Sequence, residues 1–267
     1  MIKKQHGVTL IELMVSMMLG LALISGLSQL FVQSQKSFTL QRNLSDMTDD
    51  GVFVLEALSK SILLASFVYT GDKNELTAST VFKTDFKAGE YVKGTIDNSA
   101  LIYRFKLHSS AELDNSICTN AGLSVTGTSP NVFLDSSIIS VKIYIEKEYG
   151  TQKNLYQTLK CDTNPDSNAK PLISQVEKLV FRYGIHNKAA GTFFYTTATN
   201  VDAIDQATTK NNWQNVFAVK VFLVMRSADD NLTKNKAKYK IEDKEYTATD
   251  NRLYKVFSKT IFLRNAP

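Results

Sequence analysis

Residues 7–31 read GVTLIELMVSMMLGLALISGLSQLF. From Val8 to Phe31 there are 24 residues and a single charge, Glu12. Coiled as an α-helix the run measures about 36 Å, enough to cross a hydrocarbon layer of about 30 Å. Lys3 and Lys4 precede it, which holds the N-terminus in the cytoplasm and sends the rest of the chain outward. A secretory signal has a shorter apolar core and a small-x-small cleavage site behind it. No such site is evident around Gly26–Gln35. A plain membrane anchor leaves Glu12 unexplained, because a carboxylate near the centre of a spanning helix costs about 2.5–3.5 kcal/mol and needs a partner. Cleavage after Gly7 supplies one. Val8 then carries a free α-amine about one helical turn from Glu12. Within a chain the pair relieves part of the cost, and between chains it fixes axial register.

The stretch KKQHGVTLIELMVSMM (3–18) resembles the class III signal of type IV pilins and pseudopilins. That signal is a short basic leader, a glycine, an apolar residue, Thr/Ser-Leu-Ile-Glu-Leu and an apolar helix. The resemblance implies that a prepilin peptidase cuts between Gly7 and Val8 and that Val8 is N-methylated. It implies a filament subunit drawn from the inner membrane by an assembly platform.

Residues 32–67, VQSQKSFTLQRNLSDMTDDGVFVLEALSKSILLASF, contain no proline. Phe38, Leu44, Met47, Leu55, Leu58, Ile62 and Ala65 recur at helical spacing, so one stripe is expected to lie on the body. Gly51 is a weak point of about 1 kcal/mol relative to alanine, and Asp49 and Asp50 mark it as a possible break. The reading is one helix from about Thr9 to about Phe67; the alternative is an anchor, a linker and a separate helix. Four segments follow: a cleaved leader (1–7), a transmembrane and assembly helix (8–31), its amphipathic continuation (32–67) and an extracytoplasmic β-rich body (68–267).

Beyond Tyr69 the hydrophobic period changes from helical to two. Residues 100–107, 140–149, 155–161, 176–185, 192–197, 216–226 and 252–263 read as strands, with a hairpin turn at Gly150–Asn154. In the last strand Leu253, Lys255, Phe257, Lys259, Ile261 and Leu263 share one face. Tyr254, Val256, Ser258, Thr260 and Phe262 share the other. Both faces are substantially apolar, which predicts a central strand covered on one side by the helix. No βαβ alternation is present. The fold class is therefore α+β, a long helix on an antiparallel sheet.

LISQVEKLVFRYGI (172–185), Trp213, NVFAVKVFLVMRS (215–227) and DNRLYKVFSKTIFLRN (250–265) resemble the PilW-type minor pilins, as does the helix spacer. Residues 70–171 carry no such likeness. The resemblance implies a minor pilin that primes assembly in a tip complex with other minor pilins, the major pilin and a large tip adhesin. It implies support for twitching motility, adhesion and natural transformation. A J-type pseudopilin of type II secretion is the nearest alternative.

Composition adds bounds. The net charge is +5, or +3 without Lys3 and Lys4, which alone does not call for nucleic acid. Two cysteines, Cys118 and Cys161, form no CxxC, so a zinc site is not expected. In an oxidising compartment they can pair, closing a loop worth about 4 kcal/mol in the chain-entropy view; otherwise they are buried thiols. No GxSxG, HExxH or P-loop occurs, and His108 and His186 stand in strand or loop context. No enzyme, metal or cofactor is expected. CDTNPDSN (161–168) alternates oxygen side chains at Asp162, Asn164, Asp166 and Asn168. Ser167 and Ile173 stand where a calcium loop needs glycine and glutamate, which leaves a polar turn. Lys234, Lys236, Lys238 and Lys240 alternate in KNKAKYK. In a strand all four project from one face, either as a stripe that tracks DNA phosphates or as a solvated edge that blocks aggregation.

Overall fold

The computed structural model describes residues 9–68, 75–106, 138–149, 155–164, 169–187, 192–207 and 212–263. Helix α1 runs Leu10–Ile62 without a break. Strands follow in chain order. They are β1 (Ser79–Val81), β2 (Thr84–Phe86), β3 (Val92–Gly94), β4 (Leu101–Lys106), β5 (Ile138–Tyr149), β6 (Leu155–Asn164), β7 (Lys170–Ile173), β8 (Val176–Asn187) and β9 (Thr192–Thr196). Helix α2 (Ala198–Ala207) and one 3-10 turn (Asn212–Asn215) precede β10 (Val216–Arg226), β11 (Lys238–Ile241), β12 (Lys244–Thr247) and β13 (Tyr254–Phe262). Two compact units result, residues 1–46 and 47–267.

The second unit is α+β with antiparallel sheets. A five-stranded sheet has the order β3-β4-β5-β6-β7, and a four-stranded sheet has the order β13-β10-β8-β9. Period-two patterning sorts their side chains. Leu101, Tyr103, Phe105, Val141 and Ile143 from one sheet meet Leu179, Phe181, Tyr183, Val219, Val221 and Leu223 from the other in one core. Met47, Val54, Leu55, Leu58 and Ile62 of α1 join them there. Each sheet also has a hairpin on its outer face. β1-β2 brings Val81 and Phe86 onto Ile102, while β11-β12 brings Ile241, Tyr239 and Tyr246 onto Val180, Phe222, Val224 and Val256.

β13 is an edge strand, not a central one. Its two apolar faces have a different origin. Tyr254 and Val256 lie under the β11-β12 hairpin, and the opposite face lies along α1. Lys255 Nζ donates to Thr48 Oγ1 at 2.9 Å, and Lys259 Nζ meets Glu56 Oε2 at 2.5 Å. Between them Phe257 lies over Gly51, where an added Cβ would come within 2.4 Å of the ring. Eight helical residues rise about 12 Å and four strand residues about 13 Å, so the two elements keep step over these contacts. The helix therefore continues through Asp49, Asp50 and Gly51. The glycine admits an aromatic ring and does not break the helix.

α1 ends at Ile62, five residues before the expected limit at Phe67. Tight turns close over residues 61–67, with Ala65 N–H donating to Ile62 O at 2.9 Å. Ser66 then adopts a left-handed backbone, φ 69°. Val68 enters a parallel bridge with Lys106, which ties the end of this segment to β4. Phe38 and Leu44, expected on the buried stripe, are 66% and 38% exposed; the stripe starts at Met47. The expected turn at Gly150–Asn154 lies outside the described residues, and β5 and β6 pair from Tyr149 and Leu155 onward.

Candidate functional site: an exposed apolar helix with one carboxylate

The first unit carries the feature that a folded soluble body does not produce. Leu10, Ile11, Leu13, Met14, Val15, Met17, Met18, Leu19 and Leu21 are each more than half exposed, as are Leu23, Ile24, Leu27, Leu30 and Phe31. The most apolar 18-residue window of α1 has a mean hydropathy of 2.1 and none of it is buried. Large apolar surface left bare in this way marks a membrane or protein partner. The hydroxyls within the run are satisfied locally. Ser16 donates to Glu12 O at 2.7 Å, Ser25 to Ala22 O at 2.9 Å and Ser28 to Ile24 O at 2.8 Å. Gly20 and Gly26 have open space where a Cβ would stand, so another helix can approach closely there.

Glu12 is in the first turn of α1, not near the centre of the spanning segment. Its backbone N–H donates to Thr9 O at 3.1 Å, and Thr9 Oγ1 donates to Glu12 Oε2 at 3.5 Å. Thr9 and Glu12 thus have the T-x-x-E spacing of a capping box, and their side chains meet each other directly. That signature is present in the sequence, yet it goes unnoticed when Glu12 is read only as an intramembrane charge. A carboxylate here also faces the positive end of the helix dipole. The insertion cost is therefore smaller than at mid-span, while a strong demand for a cation remains. Gly7 and Val8 lie outside the described residues.

The other candidates are scattered over the body. Cys161 is buried on β6 at 2% exposure, and Cys118 lies outside the described residues. His186 on β8 stacks on Phe193 with ring centres 4.4 Å apart; His108 lies outside the described residues. Asp162 and Asn164 belong to β6, and residues 165–168 lie outside the described set. The lysine stripe is corrected in part. Lys234 and Lys236 precede β11, and only Lys238 and Lys240 alternate within it. All four are exposed, and Lys238 pairs with Glu245 on the neighbouring strand at 3.0 Å. The strand is short because Asn231 takes a left-handed turn (φ 57°) and the segment to Ala237 is irregular.

One functional group in the body was not anticipated. Arg104, in the middle of β4, is fully buried. Its guanidinium donates to Thr77 O at 2.8 Å, Ser79 Oγ at 2.9 Å, Lys87 O at 3.2 Å and, through Nε, Glu90 O at 3.1 Å. It also lies over the Phe86 ring at 4.4 Å. Burial pushes its pKa down to about 10, against the pull of Glu90. Arg104 ties the segment around β1 and β2 to the five-stranded sheet. The signal was an arginine flanked on both sides by apolar residues in LIYRF (101–105).

In chain order, a bare, acid-tipped helix of membrane-spanning length is followed by an antiparallel body. Comparison with known families agrees at both ends. The prokaryotic N-terminal methylation motif matches residues 2–28. Type IV pilus-assembly protein W, PilW, matches residues 142–265. Together the two matches support a PilW-type minor pilin. The PilW match starts within β5 and runs past β13, so it contains the whole four-stranded sheet that carries α1. The methylation motif contains Gly7, Val8 and Glu12 together with most of the bare helix. As a minor pilin with a prepilin signal, the chain is a membrane-anchored component of a pilus system that includes other pilins and a prepilin peptidase. Comparison with curated proteins and with solved structures finds no match.

Proposed function

We propose that this minor pilin primes filament assembly and stays in the complex at the pilus tip. Its work is docking, not turnover of a substrate. The prepilin peptidase removes residues 1–7 and methylates the Val8 amine. The apolar helix then leaves the bilayer and packs against the helices of neighbouring pilins. Glu12 of one subunit pairs with the amine of another. In a medium of low dielectric such a pair specifies register more than it adds stability. The observation that carries this reading is the bare helix: its most apolar window is entirely unburied, while the body's core is built from residue 47 onward. Cys118 and Cys161 pair as a disulfide in the extracytoplasmic body. The filament so primed supports twitching motility, adhesion and natural transformation, with the major pilin, a large tip adhesin and the inner-membrane platform as partners. The exposed lysines at 234–240 serve as a solvated rim, and DNA binding is the competing role.

The test is replacement of Glu12 by alanine in the native cell. The variant is expected to be processed normally but to be absent from sheared filaments, and piliation should fall. Normal piliation would remove the role of Glu12. Intact pili with lost protein secretion would place the subunit in a type II secretion machine.

A further inference from the structure

We infer that two copies of this chain join edge to edge through β9, about a two-fold axis at Phe194. β9 is the last strand of the four-stranded sheet, and β8 is its one strand partner among the described residues. In an antiparallel pair the backbone groups of alternate residues point away from the partner. No backbone hydrogen bond on that far side of Thr192–Thr196 is present among the described residues.

Natural sheets blunt such edges with lysine, proline, bulges or covering elements. The other edges of the two large sheets, and the β11-β12 hairpin, follow that rule. β13 presents Lys255 and Lys259, β3 contains Lys93, β7 contains Lys170 and Pro171, and β11-β12 carries Lys238, Lys240 and Lys244. β9 reads TFFYT, with no charge and no proline, and its pairing with β8 has no register shift.

The strand is also self-complementary. Antiparallel pairing about Phe194 sets Phe193 opposite Tyr195, Thr192 opposite Thr196, and Phe194 opposite its own copy. Aromatic and threonine pairs are favourable cross-strand neighbours, and no like charges meet. Phe193 and Tyr195 are 64% and 41% exposed. They are backed by an aromatic ridge on the same face, with Phe193 5.1 Å and Tyr195 6.4 Å from Phe217, and Phe217 6.2 Å from Phe262. Gly184 leaves the space in which Phe217 and Tyr195 close together. The rings of His186 and Phe193 lie nearly parallel, 17° apart, so they already occupy each other's faces. The ridge is therefore suited to packing against a protein and not to stacking a base or a sugar. The inferred contact extends the sheet to a continuous one across two subunits, and it is isologous, so it closes at two. It goes beyond the docking of helices proposed above and does not depend on it.

The experiment uses the full chain in its native membrane, with cysteines introduced on β9 and mild oxidation. Only bands that require an introduced cysteine are read. Phe194→Cys is expected to cross-link to itself, and co-expressed Phe193→Cys and Tyr195→Cys are expected to cross-link to each other. Either of the latter alone should cross-link at least about tenfold less, because a two-residue offset places the Cα atoms about 8 Å apart, beyond disulfide reach. Adding Phe193→Lys to Phe194→Cys should abolish the band. Cross-linking without this register dependence, none at all, or cross-links solely to other proteins would overturn the inference.

Discussion

Replacing Gly51 with alanine places two effects of known size against each other. Alanine in an exposed helix interior is about 1 kcal/mol better than glycine. At Gly51 the new Cβ would stand 2.4, 2.5 and 2.8 Å from Cε2, Cζ and Cδ2 of Phe257. No aromatic carbon tolerates that approach, so the half-buried ring must leave the seam between α1 and β13. Overpacking of this kind costs about 1–3 kcal/mol. The net expectation is a loss of about 1 kcal/mol, with an upper limit of about 2 kcal/mol. The sign reverses once the ring is gone: in a Phe257→Ala background, Gly51→Ala should stabilise by up to about 1 kcal/mol. Urea unfolding of the four proteins of this cycle, followed by tryptophan fluorescence from the buried Trp213, gives the coupling directly. Stabilisation by Gly51→Ala with Phe257 intact would refute the claim that the glycine exists to admit the ring.

Three further outcomes follow from the body. Arg104→Met strips the donors from three backbone carbonyls and should cost about 3–5 kcal/mol, and Arg104→Lys should recover little because one ammonium cannot reproduce the fork; limited proteolysis should first cut the segment around β1 and β2. Burial raises the phenol pKa values of Tyr91 and Tyr183 in the fold. Their contribution is fully present below the unfolded value of about 10 and is lost as pH rises above it, at about 1.4 kcal/mol per pH unit for each phenol. Urea midpoints measured from neutral to strongly alkaline pH should therefore fall beyond about pH 10, and less steeply for Tyr91→Phe. If Cys118 and Cys161 are joined, Cys161→Ser should lower stability by about 4 kcal/mol and match the reduced wild type; equal stability of oxidised and reduced protein would remove the disulfide.

The helix and most strands were legible because their periodicity is local. Residues 216–226 form β10 as expected, and residues 176–185 lie inside β8. Glu12 was legible as an anomaly, but its place in the first turn depended on where the helix begins. Three features were out of reach of local pattern. The Gly51–Phe257 seam joins residues some two hundred positions apart. The edge position of β13 was hidden because a hairpin, not a second sheet neighbour, covers its outer face. The lysine run looked like one strand because alternation persists through the irregular residues 234–237, where no partner strand enforces it.

The central claim is that a cleaved, bare helix turns from a bilayer anchor into a filament contact through a new amine and Glu12. Mass spectrometry of the subunit recovered from sheared filaments tests it most directly. The account predicts a chain that starts at N-methylated Val8. A filament-bound subunit that still carries residues 1–7 would contradict it.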